Sequence, residues 1–159
     1  MKVGLLAGTG RLPEILREHQ GFQHVLTLND WPKPLGALFP IVEALKAADC
    51  QGLVLAGGVD RSRFHDLDAG GAWVAAQAGT KPGDGRLLDA LVAFLEGEGF
   101  TILGATDLMP ALKTPEGLLA GKARLDPASG LAKAQALGLR DVGQAVVHCD
   151  GGHLSLIHI

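Results

Sequence analysis

Apolar residues fall along this chain in two kinds of run. Val3-Gly4-Leu5-Leu6-Ala7 is continuous rather than alternating, the pattern of a strand covered on both faces of a parallel sheet. It stops at Gly8-Thr9-Gly10. Pro13, whose missing N–H is not needed in a first helical turn, then opens a helix on which Ile15, Leu16 and His19 recur at helical spacing. Gln23 to Leu28 reads as a second strand. Trp31-Pro32-Lys33-Pro34 interrupts regular structure before a helix from about Pro40 to Asp49, which carries Ile41, Val42, Leu45 and Ala48 on one side. A third strand, Gly52 to Ala56, ends at Gly57-Gly58. A short helix is predicted around residues 70 to 78. The stretch from Asp84 to Glu98 is plainly helical, with Leu87, Leu88, Leu91, Val92 and Leu95 as the expected buried stripe and Gly97 and Gly99 near its end. Thr101 to Gly104 makes a fourth strand.

Strands alternating with helices in this way predict an α/β fold, a Rossmann-like open parallel sheet with helices on both faces, over residues 1–109. From Met109 the texture changes. Pro110, Pro115-Glu116-Gly117 and Gly121 make a turn-rich connector over residues 110–126. A helix from about Pro127 to Leu137 and a strand from Gln144 to Cys149 follow, and Asp150-Gly151 is a hairpin turn signal. Residues 127–153 therefore read as the beginning of a second, α+β domain, truncated soon after it starts.

Composition narrows the class. Hydrophobic residues are 47% and charged residues 19% of the 159, so the chain can bury a core, and no apolar run approaches the roughly 18 residues of a membrane span. With 14 Lys and Arg against 17 Asp and Glu, a net charge of -3 argues against broad electrostatic contact with nucleic acid. The 23 glycines are about twice the usual ~7% share and point to tight turns and close backbone approaches, as in ligand-binding α/β proteins. Cys50 and Cys149 form no CxxC pair and no secretory signal precedes them, so a reduced, cytoplasmic setting is expected.

Candidate chemistry sits where strands end. Gly8-Thr9-Gly10-Arg11-Leu12-Pro13 joins a strand to a helix, where glycine lets backbone approach a ligand and the helix N-terminus offers unpaired N–H groups to phosphate. Pro13 replaces the third glycine of the dinucleotide fingerprint, so phosphate or nucleotide binding is favoured over NAD, although Asp30 falls near the place of a ribose-binding acid. Gly57-Gly58-Val59-Asp60-Arg61-Ser62-Arg63 follows another strand; Arg61 and Arg63 could neutralise a diphosphate and Asp60 could help hold a divalent cation, or the stretch is a solvated polar loop. Asp84 opens the strong helix as an N-cap or as a ligand or metal contact. His148, Cys149, Asp150 and His153 have no recognised metal spacing and read as an ordinary hairpin. There is no GxSxG elbow, Walker motif or HExxH.

Taken in order, Gly4-Leu5-Leu6-Ala7-Gly8-Thr9-Gly10-Arg11-Leu12-Pro13, Leu55-Ala56-Gly57-Gly58-Val59, Gly83-Asp84, Gly99-Phe100 with Gly104-Ala105, and Asp141-Val142-Gly143-Gln144 resemble the UDP-2,3-diacylglucosamine pyrophosphatases of the two-domain, magnesium-dependent class of lipid A biosynthesis. The resemblance implies hydrolysis of UDP-2,3-diacylglucosamine to UMP and 2,3-diacylglucosamine 1-phosphate, with Mg²⁺ as cofactor. It also implies peripheral contact with the inner membrane through the lipid substrate. Gly8, Thr9, Gly10, Leu12, Pro13, Gly57, Gly58, Arg61 and Asp84 become the expected substrate-binding residues. The acidic residue that hydrolysis requires belongs, in such enzymes, to a further C-terminal domain and maps onto no position here. The chain is thus expected to be an enzyme fragment that does not turn over alone; the other reading is a non-catalytic nucleotide-binding module. Leu154 to Ile159 match one reading frame of a transposon-end adapter used in DNA libraries, so residues 154–159 are expected to be a non-native tail. The other reading is a genuine second hairpin strand, which their alternating apolar pattern would allow.

Overall fold

Four strands, β1 (Val3–Ala7), β2 (Phe22–Thr27), β3 (Gly52–Ala56) and β4 (Thr101–Leu103), form one parallel sheet in the computed structural model, in the order β2-β1-β3-β4. The structure describes residues 1–19, 21–80, 83–117, 120–121, 127–139, 145–149 and 152–157; the side chains at 84, 145, 147–149 and 152–157 lie outside that description. Register is in step along the central pair, with Leu5 beside Val54, Leu6 beside Leu55 and Ala7 beside Ala56. Because side chains alternate along a strand, this register sorts the continuous apolar runs onto two faces. Val3, Leu5, Ala7, Val54 and Ala56 pack with Leu16 of α1 (Arg11–Glu18), while Leu6, Leu26 and Leu53 pack under α2 (Phe39–Ala47), α3 (Ala69–Ala78) and α4 (Asp84–Gly97). Helices therefore cover both faces, as the pattern of the chain predicts.

Leu5, Leu16, Leu45, Leu53 and Leu95 are fully buried, each worth roughly 1.5–3 kcal/mol of transfer free energy. Two expectations about buried stripes are corrected. His19 is exposed and only terminates α1, because the buried side of that short helix is already filled by Pro13 and Leu16. On α4 the stripe runs through Ala90, Phe94 and Leu95, with Leu87 and Leu91 half-buried, and Leu88 is 48% exposed.

Contacts divide the chain into two units, residues 1–80 with 87–114, and residues 81–86 with 115–159. The first holds the sheet, and its last elements are α5 (Ala105–Leu108) and a 3-10 turn over Pro110–Leu112. In the second, α6 (Ala128–Gly138) lies beside β5 (Ala145–Cys149), which pairs antiparallel with β6 (Gly152–Ile157). Residues 154–157 are thus part of a paired strand. The expected Asp150-Gly151 turn lies outside the described residues.

One carboxylate ties two helices of the first unit together. Asp68 caps α3 by accepting the Gly71 N–H at 2.8 Å on one oxygen, and its other oxygen accepts the N–H of Phe39, the first residue of α2, at 2.7 Å. Burial opposes its ionisation, but the N–H groups of Gly71, Phe39, Leu38 and Gly70 outweigh that and hold the carboxyl below the ordinary carboxylate range. Asp68→Ala should cost about 2 kcal/mol in urea denaturation at pH 7, the upper end for a helix cap. Since the folded-state value is the lower one, the stabilisation is complete above the unfolded carboxyl's ~3.9 and fades as pH falls through the folded value. The gap between wild type and Asp68→Ala should therefore shrink in melts run at progressively lower pH below ~4.

Candidate functional site

The strand order places the topological switch point between β1 and β3. From β1 the chain moves to the neighbour on one side, β2, and then returns to the other side as β3, so the loops leaving β1 and β3 diverge at the carboxyl edge. Here they are clasped to each other. Gly8 N–H donates to Ala56 O at 2.8 Å, Thr9 N–H to Gly58 O at 2.7 Å and Gly58 N–H to Thr9 O at 2.9 Å. The Thr9 hydroxyl adds a bond to Gly58 O at 3.1 Å.

The glycines of the two loops divide by what surrounds them. A Cβ on Gly8 would lie 2.2 Å from Gly58 O, and one on Gly57 would lie 2.5 Å from Thr9 O and 2.6 Å from Pro13 Cγ. Both positions are occupied by glycine because the loops dock against each other, and buried Pro13 is the seat of the Gly57 turn. Gly10 differs: its φ is 106°, and nothing lies within 4 Å of its Cβ position. It is the N-cap residue of α1, whose first turn has no side-chain cap, so backbone N–H groups there have no intrahelical partner.

After β3 the chain makes a 3-10 turn over Arg61–Arg63, capped by Asp60, which accepts the Ser62 N–H at 2.9 Å. The side chain and backbone of Ser62 hold the Asp60 carboxyl below the ordinary carboxylate range, so it is anionic at neutral pH. Arg61 is exposed on this turn. Arg63, also a candidate for diphosphate, has a different assignment. Its guanidinium donates to the carbonyls of Leu28, Asn29, Trp31 and Lys33, and its own carbonyl accepts the Leu35 N–H at 2.9 Å. Four carbonyl oxygens on one guanidinium make it the strut of the segment leaving β2. Asp30 lies in that segment, exposed, in a 3-10 turn over Leu28–Asp30.

Asp84 is the first residue of α4, one turn before Leu88, and its side chain lies outside the described residues. Among the described residues no three His, Cys, Asp or Glu side chains come together as a metal cluster. His148 and His153 are cross-strand partners in β5 and β6; Asp150 lies outside the described residues.

A cavity of about 320 Å³ opens beside the clasp. Leu6 and Leu55 of the sheet, Ile41 of α2, and Leu91 and Leu95 of α4 form its depth. Its remaining wall includes Gly57 of the clasp, with Leu12 and Val59 from the residues just beyond Gly10 and Gly58. Every described residue that lines it is apolar or glycine.

A model of the LpxI N-terminal domain matches residues 23–112. The chain belongs to the LpxI N-terminal domain family. It is similar to the UDP-2,3-diacylglucosamine pyrophosphatase LpxI of Caulobacter vibrioides, 32% identical over 175 aligned residues that cover 94% of this chain. The chain spans 62% of that relative's length. The LpxI N-terminal domain match takes in Gly57, Gly58, Arg61 and Asp84, and the alignment with the relative extends beyond it to most of the chain.

Sequence reasoning missed the cavity in this LpxI-family domain. The available signal was the apolar character of Leu12 and Val59 inside otherwise polar, glycine-rich loops, and the placement of Leu88 at the edge of the α4 stripe. A side chain at Gly10 would strain the backbone even though the space around it is open, because a φ of 106° is unfavourable for any residue with a Cβ. Gly8→Ala should destabilise more than Gly10→Ala: the first adds a backbone overlap to the loop clasp, the second only backbone strain of about 1–3 kcal/mol. Thermal melts of the two variants side by side check this, and equal losses would contradict the clasp.

Proposed function

We propose that this chain supplies the substrate-binding part of a UDP-2,3-diacylglucosamine pyrophosphatase of lipid A biosynthesis, holding the nucleotide diphosphate at the loops after β1 and β3. One observation carries the reading: in a chain of the LpxI N-terminal domain family, those loops are locked together at the switch point, next to a helix N-terminus without a side-chain cap. Gly10 and Leu12 present backbone to the phosphates, Gly8, Thr9, Pro13, Gly57 and Gly58 hold the two loops in place, and Arg61 meets the charge from the 3-10 turn. Asp84 falls in the second unit and has no part in this proposal.

The reaction adds one water across the phosphoanhydride. Its oxygen joins one phosphorus, the bridging oxygen leaves on the other, and UMP and 2,3-diacylglucosamine 1-phosphate result. Mg²⁺ belongs to the proposal as the diphosphate's companion, neutralising its charge when bound. Such an ion is commonly held by one or two carboxylates together with substrate phosphates, and the turn directly after β3 carries the carboxylate of Asp60. The donor set thus suits an ion carried on the diphosphate rather than a resident one. Lipid chains on the substrate would bring the protein to the cytoplasmic face of the inner membrane.

Binding alone leaves the reaction barrier high, because acceleration needs groups placed on the reacting phosphorus. The chain as given is therefore expected to bind the UDP-sugar head without hydrolysing it at an enzyme-like rate. UMP release should appear, with a magnesium requirement removed by chelator, once the chain is extended through the remaining length of its relative. Arg61→Ala should weaken UDP-glucosamine binding on the order of tenfold or more in calorimetry, the loss of a charge-assisted contact. Robust turnover by the unextended chain would move the catalytic groups into it. UDP-sugar binding with no turnover by the extended protein would support the non-catalytic nucleotide-binding module.

A further inference from the structure

The cavity beside the clasp has no role in holding a nucleotide diphosphate. Every described residue lining its about 320 Å³ is apolar or glycine, so no described side chain in it offers a hydrogen bond to a base or ribose or a charge to a phosphate. Buried leucines normally close on one another at crystal-like density, yet here the sheet, α2 and α4 stand apart around a space large enough for many atoms. Its lining residues Leu12, Val59 and Leu88 are 37%, 38% and 48% exposed, so the cavity has an apolar rim in contact with water. Two of these rim residues directly continue the clasped loops, Leu12 two residues after Gly10 and Val59 one after Gly58, and Gly57 belongs to both clasp and cavity wall.

We infer that the cavity is a binding site for a single unbranched acyl chain, entering past Leu12, Val59 and Leu88 and running down between the sheet and α4. This rests on the proposed function for the identity of the ligand's head, since a diacylated sugar diphosphate held at the clasp would place an acyl chain at this rim. It goes further in assigning only one of two chains to this domain. A methylene fills about the same ~30 Å³ as a water molecule in the liquid, so the space suits one chain of on the order of ten carbons. The cavity is thus a length gauge, with Leu6, Ile41 and Leu95 among the residues of its depth.

Titration of the full chain with straight-chain carboxylates from hexanoate to tetradecanoate, kept below their micelle concentrations, tests the gauge directly. Affinity should rise about fourfold per added methylene and level off near ten to twelve carbons. The same measurement is made on Leu88→Trp, which plugs the rim from α4, and on Leu91→Trp, which narrows the cavity one turn further along the same helix; circular dichroism reports folding for each. Both variants should lose at least tenfold in decanoate affinity while binding UDP-glucosamine as the wild type does. Carboxylate binding that is absent, independent of chain length or unchanged in both folded variants would overturn the inference. If UDP-glucosamine fails to bind any of the proteins while decanoate binds and is blocked by the variants, the acyl site stands and the reading of the clasp falls.

Discussion

The paired hydrogen bonds between Thr9 and Gly58 hold the carboxyl edge of this domain together. Strands β1 and β3 are neighbours in the sheet, but their exit loops lead to helices on opposite faces, α1 on one and α3 and α4 on the other. A crevice would open between diverging loops. The clasp closes its floor, and it can form only because Gly8 and Gly57 have no side chains in the way. What remains open is the space above Gly10 and the apolar cavity along Leu12 and Val59. The places proposed for a charged ligand portion and a lipid portion are therefore separate and adjacent, and both depend on the same two loops being fixed relative to each other.

The support for those loops is distributed. Pro13 lies against the Gly57 turn from α1, Arg63 gathers four carbonyls of the segment leaving β2, and Asp68 links the starts of α2 and α3. Each uses a polar or rigid residue to satisfy backbone groups that a loop at a strand end would otherwise leave to water. This division also separates two arginines that look alike in sequence: the Arg63 guanidinium gathers carbonyls that hold the edge together, and Arg61, two residues earlier, is exposed on the 3-10 turn.

The two central strands were legible because β1 and β3 are continuous apolar runs that stop at glycine, and β3 begins and ends at the residues the pattern marks. The helix over residues 70–78 was legible too, since the run around Trp73 is apolar and α3 spans Ala69–Ala78. What could not be read was purpose within a motif. Glycines in Gly8-Thr9-Gly10 and Gly57-Gly58 look equivalent as letters, and only coordinates distinguish a glycine docked on another loop from Gly10, held at φ 106° over open space. The cavity was invisible for a related reason. Leu88 belongs to a helical apolar stripe whether that stripe meets packed side chains or an empty volume, and periodicity reports the face, not what lies opposite.

The claim that the clasped loops form the ligand-binding edge is tested most directly by mapping UDP binding residue by residue. In amide NMR spectra of the full chain titrated with UDP and Mg²⁺, the largest shifts should fall on Thr9, Gly10, Arg11 and Leu12 and on Gly58 to Arg61. Amides at the opposite edge of the sheet, around Gln51 and Phe100, should stay in place. Saturable shifts confined to other surfaces, with residues 8–12 and 57–61 unmoved, would contradict the account.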